Sequence, residues 1–154
     1  MVRLESLSPE EQRFYREYAC PQFDDTPWVK SKPLHESRVA IVSTAGLHMP
    51  GDTPFTGKSG DHYRMIPDTV SANDLVMSHV SVNYDRTGFH QDFNVVFPLD
   101  RLRELAAEGI IASVGSFHYS FMGADNPRQW EGSVRRLATI LKQDQVDAVL
   151  LVPV

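Results

Sequence analysis

The run Arg38-Val-Ala-Ile-Val-Ser-Thr44 decides the reading of this sequence: a short, β-branched apolar stretch bounded by turn residues predicts a buried strand. It discharges into Ala45-Gly46-Leu-His48-Met-Pro-Gly51, a loop with no helix pattern behind it. Working outward, Leu75–Val80 and Ile110–Val114 read as two further strands. Val146–Val152 reads as another, too apolar to have a wet face. Pro98–Glu108 predicts a helix, with proline in its first turn, Leu99, Leu102 and Leu105 on one side, and Gly109 as its C-cap. Pro127–Gln143 predicts a second, with Trp130, Val134, Leu137, Ile140 and Leu141 along one side as core.

Upstream, Ser8-Pro-Glu-Glu opens a short helix running to Tyr18, with serine as N-cap and acids at the positive end of the dipole. Cys20-Pro21 ends it, and Phe23–Pro33 reads as an extended arm anchored by Phe23 and Trp28. Residues 50–74 carry Pro50, Gly51, Pro54, Gly57, Gly60 and Pro67, an irregular excursion kept ordered by Phe55 and Tyr63. Gly115–Asp125 reads as another loop, polar and aromatic.

Strands that are apolar throughout and alternate with helices imply an α/β fold. We expect a single domain over residues 1–154, with an N-terminal helix and arm over 1–37. Its sheet is mostly parallel, of about four strands, with flanking helices and long strand-end loops. In open α/β sheets ligands bind beyond the carboxyl ends of the strands. Here those ends are Thr44–His48, His79–Arg86 and Ser116–Gly123, which hold three of the six histidines.

Composition excludes several classes. With 154 residues, 42% hydrophobic and 23% charged, the chain is globular rather than disordered or fibrous. Twenty acidic against fifteen basic residues leave a net charge of -5, which argues against a nucleic-acid partner. No apolar stretch reaches the ~20 residues a membrane span requires. The N-terminus has no apolar signal core. The single cysteine, Cys20, allows neither an internal disulfide nor a multi-thiolate zinc site, and a reduced cytoplasmic location follows.

The pocket candidates are Thr44, His48, His79, Asn83, Tyr84, Asp85, Arg86, His118, Tyr119 and Ser120. Asp85-Arg86 reads either as a surface ion pair or as a carboxylate and guanidinium facing a small zwitterion, since arginine presents a planar donor fork. His48, His79 and His118 with Asp85 or Asp92 could in principle hold one metal ion, although no tight ligand spacing occurs and no metal is assigned. Thr56-Gly-Lys-Ser59 is a chance likeness to a P-loop ending. No Gly-x-Ser-x-Gly elbow is present, and Cys20 lies away from the strand ends.

Five motifs together carry a resemblance: Val39–His48 (VAIVSTAGLH), Asp74–Gly88 (DLVMSHVSVNYDRTG), Asp92–Leu102 (DFNVVFPLDRL), His118–Gly123 (HYSFMG) and Asp147–Val154 (DAVLLVPV). Over residues 38–154 the sequence resembles the glycine/sarcosine/betaine reductase selenoprotein B family, which includes a D-proline reductase subunit. The resemblance implies reductive cleavage of the C–N bond of a small amino-acid-like substrate. Thr44, Gly46, His48, His79, Asn83, Asp85, Arg86, His118 and Tyr119 match the family motifs and would frame the pocket.

In that scheme His79 or His118, with Asp85, serves catalysis, and Arg86 binds the substrate carboxylate beside Thr44, Gly46, His48, Asn83 and Tyr119. The reacting cysteine or selenocysteine of the family follows the strand matching Asp147–Val154, so here it is expected from an adjoining or partner chain, as is any pyruvoyl group. No cofactor is assigned within the chain. A truncated gene, a natural short homologue and the front fragment of a cleaved precursor each account for the stop at Val154. Two other functions stay open. One is a non-catalytic α/β binding or assembly module, with a second copy or a hetero-partner covering the C-terminal strand. The other is a metal-dependent hydrolase built on the histidines.

Overall fold

The computed structural model describes residues 3–18, 29–57, 62–82, 84–124 and 127–154. Cys20, Phe23, Trp28, the Lys58-Ser59 pair, Asn83 and Asp125 lie outside the described residues. The chain divides into two units, Met1–Lys30 and Ser31–Val154.

In the first unit α1 (Pro9–Glu17) begins at Ser8, whose backbone N–H donates to the Glu11 carboxylate at 2.9 Å while its hydroxyl accepts from the Glu11 N–H at 3.3 Å. This reciprocal cap satisfies two donors that a helix start would leave bare, as Ser8-Pro-Glu-Glu predicts.

The second unit is α/β. Its sheet is built on β1 (Arg38–Ser43). On one side β1 pairs in parallel with β5 (Ser113–Val114) and then β6 (Phe117–Ser120); on the other it pairs in parallel with β7 (Ala148–Val152). An antiparallel strand, β3 (Arg64–Pro67), joins β6, so the sheet is mixed but mostly parallel. It has five strands by this count, β5 and β6 being halves of one interrupted run. The helices take opposite faces. Val39 and Ile41 pack into one cluster with Leu99 and Leu102 of α3 (Leu99–Ala107), whereas Val42 joins Tyr119, Phe121 and Leu137 of α4 (Glu131–Gln143). Gly109 ends α3 at φ 71°, where the Ile110 N–H bonds back to the Leu105 carbonyl at 2.9 Å.

Several expectations are corrected. The loop expected over Gly115–Asp125 contains β6, an interior strand. Its polar residues are buried because they bond to neighbouring backbone: Ser120 Oγ accepts from the Leu47 N–H at 2.8 Å and His118 Nδ1 from the Ile41 N–H at 2.9 Å. The irregular excursion over 50–74 contains β3, which Pro67 terminates. Only β4 (Val76–Met77) survives of the strand expected at Leu75–Val80, and it pairs antiparallel with β2 (Leu47–His48) in a separate two-stranded sheet. β7 does have a wet face: Val149, Leu150 and Leu151 are 39%, 39% and 70% exposed, and among the described residues no strand pairs with its other edge. Val134 of α4, expected in the core, is exposed. No described helix is long and apolar enough to cross a membrane.

The register of β1 shifts along its length. From Arg38↔Ser113 to Val42↔Tyr119, four steps along β1 face six along β5–β6, so Gly115 and Ser116 form a two-residue bulge. That break leaves the Ile41 N–H opposite no carbonyl, and the His118 imidazole fills the gap. A second anchor holds the bulge from outside. Asp144, after α4, accepts from the Ser116 N–H and Oγ and from Arg38, while the Arg38 Nε donates to the Asp144 carbonyl at 2.8 Å.

Candidate functional site

Because β1, β6 and β7 are parallel, their carboxyl ends emerge together. Thr44, just past β1, ties two of these ends to its own. Its Oγ accepts from the Val154 N–H at 2.8 Å, and its carbonyl accepts from the Gly123 N–H at 2.9 Å. Beyond it the chain turns at Gly46, whose φ of 67° is the left-handed region that favours glycine. The Gly46 N–H reaches the Phe121 carbonyl and its own carbonyl accepts from Ser78, which brings His79 against it. A Cβ at Gly46 would lie 3.1 Å from the backbone N and Cα of His79. Gly46→Ala is therefore expected to cost about 2 kcal/mol, from the left-handed penalty and the backbone contact together. Urea denaturation checks this, and a loss under about 0.5 kcal/mol would show the turn to be slack.

The ends of β6 and β7, with the loop that follows β4, form a cleft of about 240 Å³ lined by His79, Ser81, Tyr84, Gly123, Ala124 and Val154. His79 is 5% exposed; its ring packs against Tyr84 with centroids 4.6 Å apart, and Arg86 donates to its carbonyl oxygen. Burial, helped by the Arg86 guanidinium, pushes the His79 pKa down and keeps the imidazole neutral. Burial also pushes the Tyr84 phenol up. Arg86 itself lines a larger neighbouring cleft of about 730 Å³ with Phe89, His90 and Asn94, not the strand-end cleft.

The other expected site residues fall elsewhere. Asp85 is exposed, and its carboxylate accepts from the Thr87 N–H at 2.9 Å, which lowers its pKa and starts α2 (Thr87–Gln91). His48 is buried with Nδ1 2.8 Å from the Met49 carbonyl. A carbonyl only accepts, so Nδ1 carries the proton and Nε2 is a buried lone pair with no partner among the described residues. His118 is the reverse: Nδ1 accepts from Ile41, and burial pushes its pKa to about 4. Tyr119 lies inside the sheet, edge-on to Tyr63, and burial raises its phenol to about 12. Of the expected residues the structure thus gathers Thr44, Gly46, His79 and Tyr84 around the strand ends. Arg86 touches them only through the His79 carbonyl.

Among the described residues no group of three or more His, Cys, Asp or Glu could hold a metal ion. Sequence reasoning missed Met122, whose Sδ accepts from the Val80 N–H at 3.4 Å behind His79, and Gly123, where a Cβ would stand 2.5 Å from the Val154 oxygen. The motif His118–Gly123 contained both. Reading its glycine as a point of close backbone approach was the available signal.

A family model described as glycine/sarcosine/betaine reductase selenoprotein B matches residues 4–154. The chain is 37% identical over 123 residues to D-proline reductase subunit gamma of Acetoanaerobium sticklandii, covering 79% of this chain and 50% of that protein. It is 31% identical over 148 residues to sarcosine reductase complex component B subunit beta of Peptoclostridium acidaminophilum, covering 91% and 33%. To betaine reductase complex component B subunit beta of the same organism it is 29% identical over 154 residues, covering 96% and 35%. The chain spans a third to a half of the length of these relatives. No solved structure matches it.

Proposed function

The chain belongs to the glycine/sarcosine/betaine reductase selenoprotein B family, and from that premise we propose that it acts as a subunit of a cytoplasmic reductase complex that cleaves the C–N bond of a small amino-acid-like substrate. The observation that carries this reading is the strand-end cleft: the ends of β6 and β7 and the loop carrying His79 and Tyr84 line a space of about 240 Å³, with a neutral buried imidazole in its wall. That volume suits a ligand of a few heavy atoms. A thiol or selenol from an adjoining or partner polypeptide would supply the nucleophile that displaces the amine from the substrate carbon.

The residues of this chain bind and orient. Arg86 contributes positive charge near the cleft for a carboxylate, Tyr84 supplies an aromatic wall, and Thr44 and Gly46 hold the strand ends that shape it. A second polypeptide, expected from the complexes named for the relatives, would cover the exposed edge of β7 and the wholly apolar groove beside it. That groove is lined by Phe121, Trp130, Val134, Leu137, Leu141 and Leu151. The same exposed face is the observation favouring the alternative of a non-catalytic assembly module. The metal-dependent hydrolase gains no support from the described residues.

Dithiol-dependent turnover of glycine, sarcosine, betaine or D-proline by the complex containing this chain tests the reading. Arg86→Ala removes the donor on the His79 carbonyl and a positive charge beside the cleft, not a group that lines it, and is expected to raise KM a few-fold. Absence of turnover on all four substrates by the assembled complex would remove the enzyme reading, and an unchanged KM would remove Arg86 from substrate binding.

A further inference from the structure

The unpaired edge of β7 has a symmetry of its own. In β1 the odd-numbered residues turn to the β5–β6 side: the Val39 carbonyl accepts from Gly115, the Ile41 N–H reaches His118, and the Ser43 carbonyl accepts from Phe121. The even-numbered ones turn to β7, as the bond from the Thr44 N–H to the Val152 carbonyl shows. The register between β1 and β7 is unbroken from Val39↔Ala148 to Ser43↔Val152. Ala148, Leu150 and Val152 therefore direct their backbone groups at β1, and Val149 and Leu151 direct theirs outward. No further N–H extends this free row. Pro153 has none, and the Asp147 N–H is taken by the Arg38 carbonyl. Val149 and Leu151, either side of Leu150, are the two residues that offer both a donor and an acceptor.

We propose that this edge pairs with the same edge of a second copy of the chain, antiparallel and centred on Leu150, so that one sheet runs through both copies. This deepens the reading that a second polypeptide covers β7, by naming that polypeptide. A two-fold axis at Leu150 sets Val149 opposite the partner's Leu151 and Leu151 opposite the partner's Val149, which makes four hydrogen bonds. Centring the pair on Val149 or on Leu151 makes only two. The side chains agree with the backbone. Val149 and Leu151 line the apolar groove against α4, and Leu150 lies on the opposite face. The pairing thus covers, on both faces, the three residues that β7 leaves exposed. Charge permits it as well. Residues 148–154 carry no Asp, Glu, Lys or Arg, so the charged side chains that keep sheet edges apart are missing. The same register sets Asp147 opposite the partner's Pro153, so no like charges meet despite the net charge of -5.

Analytical ultracentrifugation of the purified chain over about 1–200 μM tests this. A dimer is expected. Leu151→Lys, at a position 70% exposed, is expected to raise its dissociation constant about tenfold or more with an unchanged circular dichroism spectrum. In a Cys20→Ser background, Leu150→Cys should form a disulfide-linked dimer under mild oxidation, since the Cα atoms of such a pair lie about 4.5 Å apart. Val149→Cys and Leu151→Cys should not, because each meets its own copy two places out of line, beyond about 7 Å. A chain that is monomeric throughout would overturn the proposal and assign the edge to a different polypeptide. A dimer indifferent to Leu151→Lys, or cross-linking at Val149→Cys or Leu151→Cys as ready as at Leu150→Cys, would overturn it too. Turnover by the complex is a separate readout: it can fail with the dimer intact, or persist with the chain monomeric, so the two readings fall independently.

Discussion

Acidification from about pH 6.5 to about pH 4 is expected to remove about 3 kcal/mol of stability through one side chain, His118. Burial holds its folded pKa at about 4 against an ordinary value of 6.5, with the Arg103 charge acting in the same direction. The depressed folded value fixes the sign. Unfolded chains take up the proton first, so the contribution is complete above pH 6.5 and is lost as the pH falls toward 4. Geometry gives the same answer independently, because Nδ1 accepts the Ile41 N–H and a protonated ring would have to release it. His118→Asn retains a carbonyl acceptor without a titrating group, and urea midpoints from pH 7 to pH 4.5 should lose most of their slope. His118→Leu leaves the Ile41 N–H bare and should cost about 2 kcal/mol even at pH 7. A wild-type stability that stays flat over this range, or an asparagine variant with the full slope, would show that His118 does not carry the effect.

That residue also marks where the sequence became illegible. β1 and the two long helices announce themselves through β-branched runs, leucine spacing and caps, and Ser8, Gly109 and Arg38–Ser43 sit where such signals put them. β6 gives no such signal. Ser116, His118 and Ser120 read as solvent-facing, yet His118 and Ser120 are buried by bonds to backbone N–H groups of β1 and β2, partners 77 and 73 residues distant. Hydropathy does not encode a partner so far away in the chain. β3 hides among glycines and prolines for a related reason: its pairing with β6, rather than its own four residues, makes it a strand. The candidate site was legible in the same measure. Thr44 and Gly46 follow from the end of β1; His79 and Tyr84 were reached through a strand of which only Val76–Met77 exists, in the separate antiparallel pair; His118 and Tyr119 were assigned to a loop because the strand carrying them could not be read.

The bulge that places His118 depends in turn on Asp144, and Asp144→Ala is expected to cost about 3 kcal/mol. The carboxylate is 17% exposed and accepts three bonds, from the Ser116 N–H at 2.7 Å, Ser116 Oγ at 2.8 Å and Arg38 Nη2 at 2.9 Å. Burial alone would raise its pKa; the bonds from Ser116 and Arg38 outweigh that and hold it down. Gly115 has room to bend there only because it lacks a Cβ, which would stand 3.2 Å from Asp144 Oδ2. Removing the carboxylate leaves the Ser116 N–H without its acceptor and a largely buried guanidinium without its counter-charge, the costly direction in which to break a pair. A double-mutant cycle with Arg38→Met should return a coupling of about 1–2 kcal/mol. Because Ser116 is one of the two extra residues, loosening it should also let β6 slide against β1. The Asp144 charge itself raises the His118 midpoint, about 4 in the intact protein, so its loss alone would lower that value; a midpoint that instead climbs toward the ordinary one reports the sliding. An Asp144→Ala loss below about 1 kcal/mol, or a His118 midpoint that stays put, would mean that the bulge holds its register without this anchor.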